Sequence, residues 1–347
     1  MRREGAPVDQ AEQERVLEEG EGRTRLWRLA AATSTWIFLV LVVIIAVFSI
    51  LNFEAFASVF NLRNIMIDAS TLLIVAMGMT FVIITGGIDL SVGSVLVFSQ
   101  VVAAQVMRGM GAEGLAVILV GLAAVLLSGL AWGLLNGVLI AKTRIPALIV
   151  TLGTLGMAQG AALLLSGGIN VRGAVPPELL STVGIGRLFG EIPYLVLIAA
   201  GITILGGILL HLTRFGRHTY AIGSNAEAAR RAGINVSRHL IKVYAMSGLL
   251  AGVAGYLLLA RFTTTTIEGH GTTNLQAIAA VVIGGTSLFG GIGTVFGTVV
   301  GVFIPAILRN GFIILGVQPF WQQVAVGAVL ILAVYVDQLK RRARERA

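Results

Sequence analysis

The chain has 347 residues, 56% of them hydrophobic and only 12% charged, with a mean hydropathy of +0.91. Against the roughly 25% charged residues of an average soluble domain, that composition excludes a soluble globular protein. The absence of cysteine excludes disulfides and thiolate metal sites, and the net charge of +8 fits membrane topology better than nucleic-acid binding.

In chain order, residues 1–28 carry seven acidic and six basic side chains with almost no apolar periodicity. They predict a cytoplasmic tail over 1–30 that is too long and acidic for a secretory signal. A transmembrane domain then fills 31–338, in runs of about the 20 apolar residues that cross a bilayer. The predicted spans are 33–52, 65–85, 90–107, 115–140, 146–165, 192–212, 240–260, a short interrupted one at 275–289, 292–308 and 320–336. The fold class is therefore all-α: a polytopic membrane protein of about ten transmembrane helices, some interrupted. A basic cytoplasmic tail, 339–347, closes the chain.

Lysine and arginine gather on the cytoplasmic side of short loops. With ten spans and the N-terminus inside, 19 of the 25 basic residues fall on cytoplasmic segments. Arg63, Arg108, Arg172, Arg187, Arg261 and Arg309 fall outside. Both termini are expected in the cytoplasm. Glycines recur every fourth residue at Gly129, Gly133 and Gly137 and at Gly293, Gly297 and Gly301, a spacing that lines one helix face for close packing within the chain.

Two carboxylates stand in or near the spans, Asp68 and Asp89. An intramembrane carboxylate is costly and marks function by default. Asp89 follows Gly86 and Gly87, which permit a non-helical turn at membrane depth. Asp89 or Ser91 then either caps the third helix or meets the solute directly. The double glycine at 284–285 sits in a similar setting, residues 281–295 echoing 82–95, and paired interruptions point to a path near the midplane. Gln100, Asn136, Asn274, Thr286 and Ser287 complete the predicted solute path with Gly86, Gly87, Asp89 and Ser91. Thr151, Thr154 and Gln159 are further neutral polar groups in the spans. A hydroxyl- and amide-lined route suits an uncharged polar solute, and carboxylate relays of ion-coupled carriers are scarce. No catalytic or metal-ligating set is expected.

The cytoplasmic loop 213–239 is long and polar. Its segment Ala226-Glu227-Ala228-Ala229-Arg230-Arg231-Ala232 favours helix, with Ser224 or Asn225 to cap its start and Gly233 its end. By physics alone this helix serves either as a docking element for a soluble partner or as an amphipathic helix at lipid head groups. No Gly-x-x-x-x-Gly-Lys-Ser/Thr loop is present, so any ATP is hydrolysed by another chain.

Three stretches carry a resemblance: Gly86 to Gly93, Gly216 to Val236 with Glu227-Ala228-Ala229 and Gly233, and Gly284 to Gly291. The chain resembles the permease subunits of bacterial ABC importers for monosaccharides, the ribose-type branch, over about residues 65–336. That resemblance implies a subunit without enzymatic activity that works as a pair, a homodimer. Two ATP-binding subunits, which carry the ATP and magnesium, drive it, and an extracytoplasmic solute-binding protein feeds it. Glu227, Ala228, Ala229, Arg230 and Gly233 would couple to the ATPase. The wider ABC-importer motif continues after its glycine with Ile-x-Leu-Pro, which this chain lacks. The solute is expected to be a monosaccharide or similar neutral polar molecule. The alternatives are a branched-chain amino acid or autoinducer permease of the same superfamily, or a stand-alone secondary carrier or channel. The expected location is the bacterial inner membrane.

Overall fold

The computed structural model describes residues 33–318 and, beyond them, Trp321, Val324, Gly327, Ala328, Ile331 and Tyr335. The two predicted tails and most of the predicted span 320–336 lie outside the described residues. The described chain is almost entirely helical. Its long elements are α1 (Thr33–Leu51), α3 (Val59–Ile84), α4 (Val92–Gly109), α5 (Gly114–Thr143), α6 (Ala147–Ser166), α8 (Tyr194–Leu212), α11 (Val236–Phe262) and α13 (Val295–Ile314). Shorter helices are α2 (Phe53–Phe56), α7 (Pro177–Leu179), α9 (Arg214–Ser224), α10 (Ala226–Arg231) and α12 (Thr273–Ile283). After α7 come one π turn and a two-residue hairpin, β1 (Arg187–Leu188) against β2 (Ile192–Pro193), with Arg187 opposite Pro193. Seven of the described helices, α3, α4, α5, α6, α8, α11 and α13, are long and apolar enough to cross a membrane. This is a multi-pass membrane protein.

The helices form a centre and a ring. The apolar windows of α3 and α11 are 78% buried, whereas those of α5 and α8 are 22% buried and turn leucines outward. With water absent from a bilayer core, an outward apolar face needs no covering. What brings α5 onto α11 is its glycine ladder. A Cβ on Gly129, Gly133 or Gly137 would fall 2.4, 2.4 and 2.7 Å from the backbone of Gly248, Tyr244 and Ile241 respectively. The ladder packs within the chain, as its spacing predicts.

Two expectations need correction, and the span read as short and interrupted takes definite limits. The interrupted span 275–289 is a helix only over Thr273–Ile283, whose 11 residues extend about 16 Å. That is half of the roughly 30 Å hydrocarbon core, and the remainder is irregular backbone. The next helix begins at Val295 rather than 292, so Gly293 precedes it. Gly297 and Gly301 pack against backbone, the carbonyls of Gly284 and Ala280, while Gly293 faces the Ile84 and Thr286 side chains. The loop 213–239 holds two helices, not one. Its polar stretch at 214–224 lacks the apolar run that marks a span, yet Thr213 Oγ1 caps it by accepting from the Gly216 N–H.

Candidate functional site

The two double glycines end their helices in the same way. After α3, the Gly86 N–H donates to the Ile83 carbonyl and the Gly87 N–H to that of Val82, with Gly86 at φ +77°. After α12, Gly285 and Thr286 repeat those bonds onto Val282 and Val281, with Gly285 at φ +88°. Both are left-handed caps that a side chain would strain. The echo read in the sequence is thus an echo of geometry. The two turns also meet: the Gly291 N–H donates to the Ile84 carbonyl at 2.9 Å.

Asp89 lies in the first turn, 1% exposed, and is fully engaged. Its Oδ1 accepts from the Ser91 N–H at 3.0 Å and the Ser91 hydroxyl at 2.6 Å, and its Oδ2 accepts from Ser247 Oγ at 3.0 Å. Ser91 Oγ accepts from Asn136 Nδ2 at 2.8 Å, and Asn136 Oδ1 accepts from Thr154 Oγ1 at 2.7 Å. One buried chain of hydrogen bonds therefore ties α6, α5, the mouth of α4 and α11 together. Asn274 Nδ2 adds α12 by donating to the Leu90 carbonyl at 2.9 Å. Such a network is rigid while every member is satisfied. The capping expectation is corrected in part. Asp89 holds the turn through Ser91, but neither side chain caps the α4 N–H groups themselves.

The other predicted path residues sit apart. Gln100 Oε1 accepts from the Thr266 N–H at 3.1 Å, pinning the loop between α11 and α12. Thr286 and Ser287 are buried in the second turn, where Ser287 Oγ accepts from the Phe289 N–H. Gly87 faces Tyr244, whose hydroxyl lies 2.3 Å from where a Cβ would stand. Reading the sequence missed Ser247 and Tyr244, which stand among small and apolar residues with no local signal.

The loop 213–239 is seated on this pair of turns. Asn225 Oδ1 caps α10 by accepting from the Ala228 N–H at 2.9 Å, one of the two capping residues expected. Gly233, at φ +86°, ends it: its N–H donates to Arg230 and that of Ile234 to Ala229. Glu227 pairs with Arg230 at 2.7 Å and Arg231 at 3.4 Å, all three exposed, so the arginines are not independent of the carboxylate. Just upstream, Tyr220 Oη donates to the Gly293 carbonyl at 2.6 Å. A Cβ on Gly223 would fall 1.7 Å from the Ile84 carbonyl oxygen and 2.5 Å from the Gly291 nitrogen. Helix α9 thus touches both broken segments at once.

Residues 61–334 match the family described as branched-chain amino acid transport system / permease component. The chain is 40% identical over 316 residues to the ribose import permease protein of Escherichia coli K12, covering 89% of this chain and 96% of that one. It belongs to the ABC-importer permease family. The ribose import permease of Bacillus subtilis is 38% identical over 304 residues, covering 87% of this chain and 92% of its own. The fructose import permease of Rhizobium meliloti is 33% identical over 312, covering 88% and 85%. No solved structure matches the chain.

Proposed function

We propose that the chain is the membrane subunit of an importer that passes a monosaccharide from an extracytoplasmic solute-binding protein into the cytoplasm, driven by ATP hydrolysis on a separate subunit that holds the ATP and magnesium. The observation that carries this reading is the contact of Gly223 and Tyr220 with both glycine turns. Helix α10 presents Glu227, Ala228 and Arg230 to the ATP-binding subunit, and Gly233 fixes where that helix stops. Because α9 and α10 are joined by the single residue Asn225, a displacement of α10 acts on α9 and through it on the turns at Gly86 and Gly291. Those turns, with Asp89, Ser91, Asn136, Asn274, Thr286 and Ser287, gate the solute path. Gln100, holding the loop between α11 and α12, belongs to the same path. Two copies form the complete pore, both termini are cytoplasmic, and the bilayer is the bacterial inner membrane. The monosaccharide reading draws on the neutral lining of the path and on relatives named for ribose and fructose import.

The test is uptake of radiolabelled D-ribose, D-xylose, D-fructose and D-galactose by host cells with the gene deleted and then restored. Loss of one sugar's uptake on deletion, rescued by the gene and insensitive to a protonophore, supports the reading. Unchanged uptake of all four sinks the monosaccharide assignment, and abolition by the protonophore points instead to a secondary carrier.

A further inference from the structure

Asp68, the second carboxylate, has no part in the network at Asp89. It stands on α3 sixteen residues before Ile84, about 24 Å along the helix from the turn that α9 grips. There it accepts a hydrogen bond from Arg261 of α11 at 2.7 Å, yet its side chain is still 49% exposed and that of Arg261 25% exposed. Arg309 of α13 is exposed on the same side and makes no ion pair among the described residues. Asp68 stands within α3 and Arg309 in the second half of α13, while Arg261 lies in the last turn of α11. Charges at such positions are expensive against lipid and need polar surroundings. A cavity of about 240 Å³ lies between α3, α11, α12 and α13, with Asp68, Thr71, Arg261, Gln276 and Arg309 set in a wall that is otherwise largely apolar.

The lining is chemically specific. Asp68 accepts hydrogen bonds, the two guanidinium groups donate, and the Gln276 amide does both. The Phe262 ring offers an apolar face, with the Arg261 guanidinium 5.0 Å from its centroid. Vicinal hydroxyls on a ring with one C–H face ask for that combination. The volume lies just under the roughly 300 Å³ at which drug-sized pockets begin, the scale of one sugar ring. One wall is the loop before α12, where His270 is fixed by Thr266 at 2.8 Å and Thr273 at 3.3 Å. The His270 carbonyl presses on the first turn of α4, 2.7 Å from where a Cβ of Gly93 would be. Gly93 is two residues from Ser91, so an occupant of the cavity bears on the segment that Asp89 holds.

Resting on the monosaccharide-permease reading above, we propose that this cavity is a binding site for a neutral monosaccharide within each permease copy, at the end of the bundle away from the coupling helix. The solute pauses there before the turns at Gly86 and Gly291 open. Asp68, Arg261, Gln276 and Thr71 hold its hydroxyls.

The test uses the full-length permease in nanodiscs, with tritiated D-ribose as probe in a scintillation proximity assay, alongside ATP-driven ribose uptake in cells. Gln276→Leu and Thr71→Val, neither of which breaks the ion pair, are compared with wild type and with Asp68→Asn. The expected result is saturable binding to wild type, weakened about tenfold by Gln276→Leu, and a raised KM for uptake with unchanged maximal rate. If the wild type takes up ribose but binds none, or if Gln276→Leu and Thr71→Val leave both affinity and KM unchanged, the site is refuted while the transport reading stands. Tighter binding of ribose 5-phosphate that depends on Arg309 also refutes it, in favour of an anion site. Absence of uptake of every monosaccharide removes the reading beneath it.

Discussion

Replacing Asp89 separates a structural carboxylate from a transport one. In Asp89→Leu the acceptor for three donors disappears. Ser247 lies inside α11, so its hydroxyl can turn to the carbonyl four residues back and lose little. The Ser91 N–H and the Ser91 hydroxyl proton, fixed at the mouth of α4, are left buried without an acceptor, although Ser91 Oγ still accepts from Asn136 Nδ2. At about 1–3 kcal/mol for each orphaned group, the cost is about 2–6 kcal/mol, a large share of the roughly 5–15 kcal/mol that holds a folded protein together. At roughly 2 °C per kcal/mol for a chain of this size, the melting midpoint falls by about 4–12 °C. Asp89→Asn keeps an oxygen for both Ser91 donors and turns its amide to the Ser247 oxygen. It loses charge assistance but also the cost of burying a charge, a net of about 0–2 kcal/mol. The assay is a melt of purified full-length protein in detergent followed by size-exclusion chromatography, paired with solute uptake in cells. A Leu variant melting within about 2 °C of wild type would refute the reasoning, since it would mean that the network does not hold the turn. An Asn variant that melts normally but no longer transports would show that the charge itself acts on the path.

Gly223→Val puts a side chain where the Ile84 carbonyl already stands and should separate α9 from both turns. Transport should fall at least about tenfold with assembly retained, and wild-type uptake would disprove the link. Gly233→Val strains the left-handed end of α10 by about 1–2 kcal/mol, and Glu227→Lys leaves three neighbouring positive charges on that helix. Both variants should insert, Gly233→Val melting no more than about 2–4 °C below wild type, while uptake drops, and normal uptake with the ATP-binding subunit still co-purifying would remove the coupling assignment. A reporter that is active only outside the cell, fused after Ala347, should stay dark. A strong signal would mean an odd number of crossings.

What the sequence made legible was local chemistry. Asn225 and Gly233 mark the ends of α10 because caps act within four residues, and the double glycines at 86–87 and 284–285 mark breaks because a left-handed residue shows in the chain itself. The seven long apolar helices follow from their length alone. What stayed hidden was decided over long separations. Ser247 reaches Asp89 across 158 residues and Tyr220 reaches Gly293 across 73, and neither stands in a pattern that announces it. Helix α9 escaped notice because its residues are polar and its helix is held by contacts with the turns. The shortness of α12 was legible, since Gly284, Gly285, Thr286 and Ser287 follow Ile283 directly, but its start at Thr273 was not. The polar residues expected to line a solute path are all buried, but their grouping was not legible: Asp89, Ser91 and Asn136 share one network while Gln100 serves another loop.

The central claim, that α10 docks on an ATP-binding subunit and drives the turns, can be tested directly at Ala228. A photo-crosslinking residue at position 228 of the full-length chain, irradiated in host membranes, should form one dominant adduct. Mass spectrometry should find in it a protein with a Gly-x-x-x-x-Gly-Lys-Ser/Thr loop, absent when the residue stands at Phe189 instead. Efficient transport with adducts to lipid alone at position 228 would contradict the account.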